Sequence, residues 1–280
     1  MLKKLGEVLK IEAHAVGSFN IVDLDMARAI VSTAEMSGLP VIIGIATRHW
    51  NVVDIPVMAP SLLKLVECAA TDVVLHLDHA GPQQLEIIQE ALDLGFTSIM
   101  IDGSSLQFDR NCEITKRVME MTRPYGAHVE AELGAITGLE GVAGFVDGNV
   151  NHSLYTDPGK AEAFIRECPV EALAVSVGTA HGLYKTKPKL QFKLIEEINR
   201  RIPTPLVLHG ATGVPDDAII KAISLGVRKI NYFSGLLVTA MDEVRLGVSE
   251  NDNDYIGFRN RLVARWKRDA QEKLELYACK

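Results

Sequence analysis

Short apolar runs alternate with segments of helical periodicity along almost the whole chain. Eight of these runs are rich in aliphatic and β-branched residues: His14–Asn20, Val41–Ile45, Val73–Asp78, Ser98–Asp102, His128–Leu133, Ala172–Gly178, Leu206–His209 and Arg228–Phe233. Most are continuously apolar rather than alternating, which predicts strands of a parallel sheet covered by helices on the outer side. Between them, Asp23–Ser37 places Leu24, Ala27, Ile30, Val31 and Ala34 on one helical face, and Gln84–Leu94 does the same with Leu85, Ile88 and Leu92. Gly38, Gly95 and Gly226 stand where helices should stop. A terminal amphipathic helix is expected over Tyr255–Tyr277, with Leu262, Trp266, Ala270 and Leu274 inward and its Arg and Lys residues in solvent.

Eight alternations with no linker or low-complexity break predict a (β/α)8 barrel, one domain over residues 1–280 with a helical tail. An open doubly wound sheet is the competing architecture, but no glycine fingerprint follows the first strand. The longest stretch without an element is Gly134–Thr156, which contains Gly138, Gly141, Gly144 and Gly148. A loop of that length in a compact barrel is expected to act as a mobile lid.

Composition narrows the classes of function. The net charge of −7, with both signs mixed along the chain, gives no basic patch for nucleic acid. No apolar run approaches the ~20 residues of a membrane helix. The amino-terminal segment is amphipathic, carries Glu7 and lacks a signal core. The four cysteines are far apart and form no CxxC pair. Together these features predict a cytoplasmic protein with reduced thiols.

In such a barrel the active site lies at the carboxyl ends of the strands. Asn20, Asp78, His79, Asp102, Glu130, Glu132, His181, His209 and Asn231 all fall there. A lone histidine at a strand end is more often an ordinary polar residue than a ligand. Three in matching positions, His79, His181 and His209, with Asp78 beside the first, point to one metal site with an adjacent acid or base.

The segments Leu75–His79, Ser98–Ser104, Val129–Gly134, Val177–Gly182, Leu206–Gly213 and Lys229–Asn231 resemble the class II, zinc-dependent ketose-bisphosphate aldolases. The likeness runs from about residue 14 to residue 245, and its wording looks closer to the tagatose-bisphosphate branch. It implies reversible aldol cleavage of fructose or tagatose 1,6-bisphosphate to dihydroxyacetone phosphate and glyceraldehyde 3-phosphate. One zinc ion per chain, on His79, His181 and His209, would act as Lewis acid for the enediolate. Asp102 and Glu132 match carboxylates that hold an alternative metal position or orient the ligands. Asp78 matches the general base for the C4 hydroxyl, and Glu140 the glutamate that moves the proton on the dihydroxyacetone phosphate carbon. Asn20, Gly182, Gly210, Ala211, Thr212, Asn231, Tyr232, Phe233 and Ser234 match substrate contacts. Gly178 and its neighbours match a loop that holds a monovalent cation, Na+ or K+. A homodimer or homotetramer is implied, with room for a helper subunit.

Two positions depart from the family pattern. Phe233 stands where relatives commonly carry a small or acidic residue, with a threonine or acidic residue close by, and Tyr232 and Phe233 are expected to change the walls around the sugar. Ala46 stands where relatives often carry Ser or Thr. His14, His49, His128 and His152 match no ligand role, and His76 is expected to pack beneath or support the site. Two other functions compete. A barrel metallohydrolase would want a His-x-His pair on strand one, where this chain has Ser18-Phe19-Asn20. A non-catalytic sugar-phosphate-binding subunit would not need Asp78, Glu140 and all three histidines.

Overall fold

The computed structural model describes residues 1–10, 14–138, 145–148, 150–250 and 253–280. Its centre is a closed ring of eight strands: β1 (Val16–Asn20), β2 (Val41–Ala46), β3 (Val73–Ala80), β4 (Ser98–Ile101), β5 (His128–Leu133), β6 (Ala172–Val175), β7 (Leu206–Leu208) and β8 (Val227–Tyr232). Every neighbouring pair is parallel, and β8 pairs back onto β1 through Lys229 opposite Val16 and Asn231 opposite Ser18. The helices that cover the ring are α1 (Leu24–Ser37), α2 (Ile55–Glu67), α3 (Leu85–Asp93), α4 (Phe108–Thr122), α5 (Pro158–Glu167), α6 (Phe192–Arg201), α7 (Asp216–Ser224) and α8 (Ser234–Ser249). This is the (β/α)8 barrel that the sequence predicts.

Local signals explain the boundaries. Asp23 caps α1 by accepting from the Met26 amide at 2.7 Å, and Gly38 ends it with φ of +63°. Pro158 occupies the first turn of α5, behind the Asp157 cap. The terminal helix α9 (Tyr255–Tyr277) has the expected bounds, and buries Trp266, Ala270 and Leu274. Three ion pairs tie it down. Arg261 and Arg265 reach the buried Glu243 of α8 at 2.7 and 3.1 Å, and Arg259 pairs with Asp25 of α1.

Alternate residues of each strand point into the ring. Those nearest the amino ends are apolar: Val16, Ile42, Val74, Met100, Ala172, Ala174 and Val207. Leu5 and Val8 of the short helix Leu5–Val8, with Leu9, join the same cluster and seal that end of the barrel. The outward-facing strand residues form a second, larger core beneath the helices.

Three expectations need correction. β6 ends at Val175, and residues 176–182 continue as loop, so Gly178 belongs to a loop with φ of +107°. β3 runs two residues past Asp78, to Ala80. The stretch predicted to lack elements contains a two-residue strand, Phe145–Val146, paired with Leu183–Tyr184, and a 3-10 turn at His152–Leu154. Its flanks are anchored as well. His181 N–H donates to the Thr137 carbonyl at 2.7 Å, and Ala135 N–H to the Leu154 carbonyl at 3.0 Å. No helix among the described residues is long and apolar enough to cross a membrane.

Candidate active site

Asp78 and His79 are neighbours in one strand, so a regular pleat would aim them at opposite faces. The chain avoids this with a distortion. The register of β3 against β4 shifts between Leu77 and Ala80, and His79 takes a φ of +52°, rare for a residue with a side chain. Both side chains therefore reach the barrel mouth. Thr47, just after β2, holds the bend through a 2.7 Å hydrogen bond to the His79 carbonyl.

His181, from the loop after β6, and His209, just beyond β7, complete the group. Their ring centroids lie 4.7 and 4.6 Å from that of His79, and each of the three rings offers a nitrogen within 4.8 Å of the others. Burial, followed by the neighbouring imidazoles, lowers the pKa of His181 well below the usual histidine value, and burial lowers that of His209. Both are thus held as neutral rings, the form that binds metal. Three mutually close imidazoles, two of them held neutral, fit a zinc site with room for further ligands. A second cluster, His79 with Asp102 and Glu132, has the same spacing. The Asp102 carboxylate lies 3.6 Å from His79 Nδ1 and accepts from the Ser104 amide and hydroxyl at 3.0 and 2.6 Å. Glu132 behaves oppositely: burial, then the charge of Asp102, pushes its pKa well above the carboxylate range.

Asp78 is fully buried beside the histidine cluster. Asn20 donates to its Oδ2 at 2.7 Å, and Asn231 lies 3.4 Å from both oxygens. Burial alone would raise its pKa. His79, the bond from His76, His209 and Lys229 outweigh that and hold it well below the usual range, so Asp78 is an anion ready to accept a proton. A cavity of about 380 Å³ opens above, lined by Ala46, Thr47, Arg48, His79, Asp102, Ile136, Gly138 and His181.

Glycines in the left-handed region shape the far wall. At Gly210, φ is +65° and a Cβ would sit 2.3 Å from the Ala180 carbonyl oxygen, so the loops after β6 and β7 approach as only glycine allows. Tyr184 locks this contact. Its hydroxyl oxygen accepts from Ala180 N–H at 2.7 Å and lies 2.8 Å from the carbonyls of Ala180 and Gly210. Gly182, Ala211, Thr212 and Ser234 lie on these loops and at the start of α8, around the same end of the barrel.

The side chain of Tyr232 corrects one expectation. It turns outward, edge-on to Phe19 and under Lys273 of α9, because successive residues of β8 alternate faces and Asn231 takes the inward one. It cannot wall the sugar. Phe233 is buried and packs edge-on against His49 at 5.5 Å, beside the cavity-lining Arg48. Glu140 lies outside the described residues.

Beneath the histidines lie two residues that sequence reading left without a role, Glu130 and Lys229. Glu130 accepts from His209 Nε2 at 2.9 Å and pairs with Lys229 Nζ at 2.8 Å. His76 joins through Lys229 at 3.4 Å and Ser98 at 2.7 Å. All five are buried. The available signal was the alternation of β8, which puts Lys229 on the same face as Asn231, where a buried charge requires a partner. Tyr184 and Arg48 carried no comparable signal.

A parallel barrel whose carboxyl end gathers three histidines and a buried aspartate offers a candidate metal position beside an acid–base group. The chain belongs to the family described as fructose-bisphosphate aldolase class-II, whose model matches residues 2–280. It is 39% identical, over 91% of its length and 86% of the relative's, to the 6-phospho-5-dehydro-2-deoxy-D-gluconate aldolase of Bacillus subtilis (strain 168). It is 37% identical to a fructose-bisphosphate aldolase of Staphylococcus epidermidis, over 90% and 87% of the two chains. In three dimensions it resembles the YdjI aldolase of Escherichia coli K12, with a TM-score of 0.87, 30% identity, and coverage of 99% and 97%. The protein is therefore an aldolase-family lyase.

Proposed function

We propose that the protein catalyses zinc-dependent, reversible aldol cleavage of a ketose 1,6-bisphosphate, tagatose or fructose, giving dihydroxyacetone phosphate and glyceraldehyde 3-phosphate. The observation that carries this reading is the buried Asp78 carboxylate set against three mutually close imidazoles. His79, His181 and His209 would hold the zinc, which supplies Lewis-acid stabilisation of negative charge on the ketone half. Asp78, oriented by Asn20 and Asn231, accepts the proton of the C4 hydroxyl as the C3–C4 bond breaks and the aldehyde leaves. Glu140 returns a proton to the carbon left behind. Asp102 and Glu132 hold an alternative metal position or orient the ligands. Backbone amides of Gly182 and Gly210–Thr212, with those around Asn231–Ser234, bind the phosphate of the dihydroxyacetone half, as helix starts and barrel loops commonly do. The loop around Gly178 takes a monovalent cation. The enzyme works in the cytoplasm as a homo-oligomer.

A second reading keeps this chemistry but changes the aldehyde half. Ala46 offers no hydroxyl there, and the cation Arg48 lines the cavity mouth. That pattern suits an acidic aldehyde fragment of either kind: a phosphate as in the bisphosphates, or a carboxylate as in the substrate named for the Bacillus subtilis relative. A retro-aldol assay across fructose and tagatose 1,6-bisphosphates, 6-phospho-5-dehydro-2-deoxygluconate and singly phosphorylated ketoses separates the readings. Turnover should stop with a chelator, return with zinc, and leave no adduct after borohydride. Activity that survives full metal removal would overturn the proposal.

A further inference from the structure

An imidazole has two nitrogens, and only one can face the histidine cluster. For His209 the surroundings select which. Nε2 lies 2.9 Å from Glu130 Oε1, with both side chains fully buried. An ionised carboxylate can only accept, so Nε2 must carry the hydrogen. Glu130 is kept ionised by Lys229, whose ammonium lies 2.8 Å from the other carboxylate oxygen. The opposite side of the ring agrees independently. Nδ1 lies 3.1 Å from the amide nitrogen of Asn231, a group that only donates, so Nδ1 must present a lone pair. Glu130 and Lys229 are both fully buried beneath the histidines.

We propose that Glu130, with Lys229 as its fixed counter-charge, is the positioning residue that sets the tautomer of His209 and so aims Nδ1 at the metal site. The inference extends the zinc reading above, yet the tautomer itself is a property of the metal-free protein. Three strands build the device: β5 supplies the acceptor, β8 the counter-charge and the Asn231 donor, and the end of β7 the imidazole. Without Lys229, a lone carboxylate in the barrel would be costly to bury. Without Glu130, the ring can flip or exchange its proton, and each metal-binding event would first have to restore the right form. Partners of this kind are worth about 10–100-fold in metal affinity elsewhere.

The test begins on metal-stripped, uniformly 15N-labelled protein, with the His209 ring signals identified by their loss in His209→Gln. Wild type should show a protonated Nε2 and an unprotonated Nδ1. Glu130→Leu should give mixed or inverted ring signals, and cobalt(II) affinity, measured by chelator competition, should fall about 10–100-fold. The double variant Glu130→Gln with Lys229→Met removes both charges but keeps a carbonyl acceptor. It should restore the wild-type ring pattern and bring cobalt affinity back to within a few-fold. Unchanged ring signals and cobalt affinity in Glu130→Leu would overturn the proposal. If Glu130→Leu does not fold, the double variant decides, because an inverted ring pattern there also overturns it. A wild-type protein that binds no cobalt at the histidines would instead sink the metal reading while leaving the tautomer assignment standing.

Discussion

The two ends of the barrel interior are built from the same strands and obey opposite rules. Toward the amino ends, Val16, Ile42, Val74, Met100, Ala172, Ala174 and Val207 fill the ring with hydrocarbon, and Leu5, Val8 and Leu9 close it. One or two inward positions further along, the ring holds Asn20, His76, Asp78, Glu130, Glu132, Lys229 and Asn231, all buried and ionisable or polar. The lower layer gains free energy from every methylene it hides, at about 25 cal/mol per Å² of apolar surface. The upper layer must desolvate charges and recovers that cost only through pairs such as Lys229–Glu130 and Asn20–Asp78. The difference teaches a division of labour. The lower layer can lose packing and keep chemistry, whereas the upper layer can lose chemistry and keep, or even gain, stability.

The largest effect should come from the upper layer. Replacing any one of His79, His181 or His209 by Ala should remove most bound zinc and nearly all turnover, with the fold retained. Metal analysis of the purified variants checks this, and full zinc content in two of the three would sink the ligand assignment. Next is Asp78→Asn, for which kcat should fall about 10²–10⁴-fold, the range typical of a lost general acid–base group. Its zinc content should not change, and exchange of the dihydroxyacetone phosphate proton with solvent should survive better than cleavage. Equal losses would mean that Asp78 does not act on the aldehyde side alone.

The lower layer should behave in reverse. Met100 is completely buried in its cluster, so Met100→Ala should cost about 2–5 kcal/mol of stability, the usual cavity penalty. Urea unfolding would measure that loss, while kcat and zinc content of the folded fraction stay at wild-type values. A parallel fall in kcat would break the comparison. The smallest effect sharpens it. Burial, and then Asp102, raise the pKa of Glu132 well above the usual carboxylate range. A carboxyl raised in the folded state favours folding below its unfolded pKa, and that contribution is lost as pH rises toward the folded value. At neutral pH Glu132 is therefore a liability in metal-free protein. Glu132→Gln should be more stable there, by on the order of 1 kcal/mol, with the gain vanishing below about pH 4.5. Denaturation midpoints of metal-stripped protein across pH test this. A variant less stable than wild type at pH 7 would show that desolvation of Glu132 is not what the upper layer pays.

Much of this was legible without coordinates, because strand and helix periodicities are local. Continuous apolar runs, Asp23 and Gly38 at the ends of α1, and the face of α9 marked elements whose bounds moved by a few residues at most. The strand-end positions of Asp78, His79, His181 and His209 were equally visible, since a parallel barrel sends all its carboxyl ends to one side. What the sequence could not carry were facts about pairing between distant segments. The bend that turns both Asp78 and His79 to the mouth depends on a register shift against β4. The outward turn of Tyr232 depends on which residue of β8 takes the inward face. The bond from His209 to Glu130, the clamp of Tyr184 on Gly210, and the place of Arg48 at the cavity join residues far apart in the chain. Composition and periodicity thus determined that this chain closes a barrel with polar strand ends. Only the closed ring, by bringing β5, β7 and β8 side by side, decided which nitrogen faces the site and which charges hold it there.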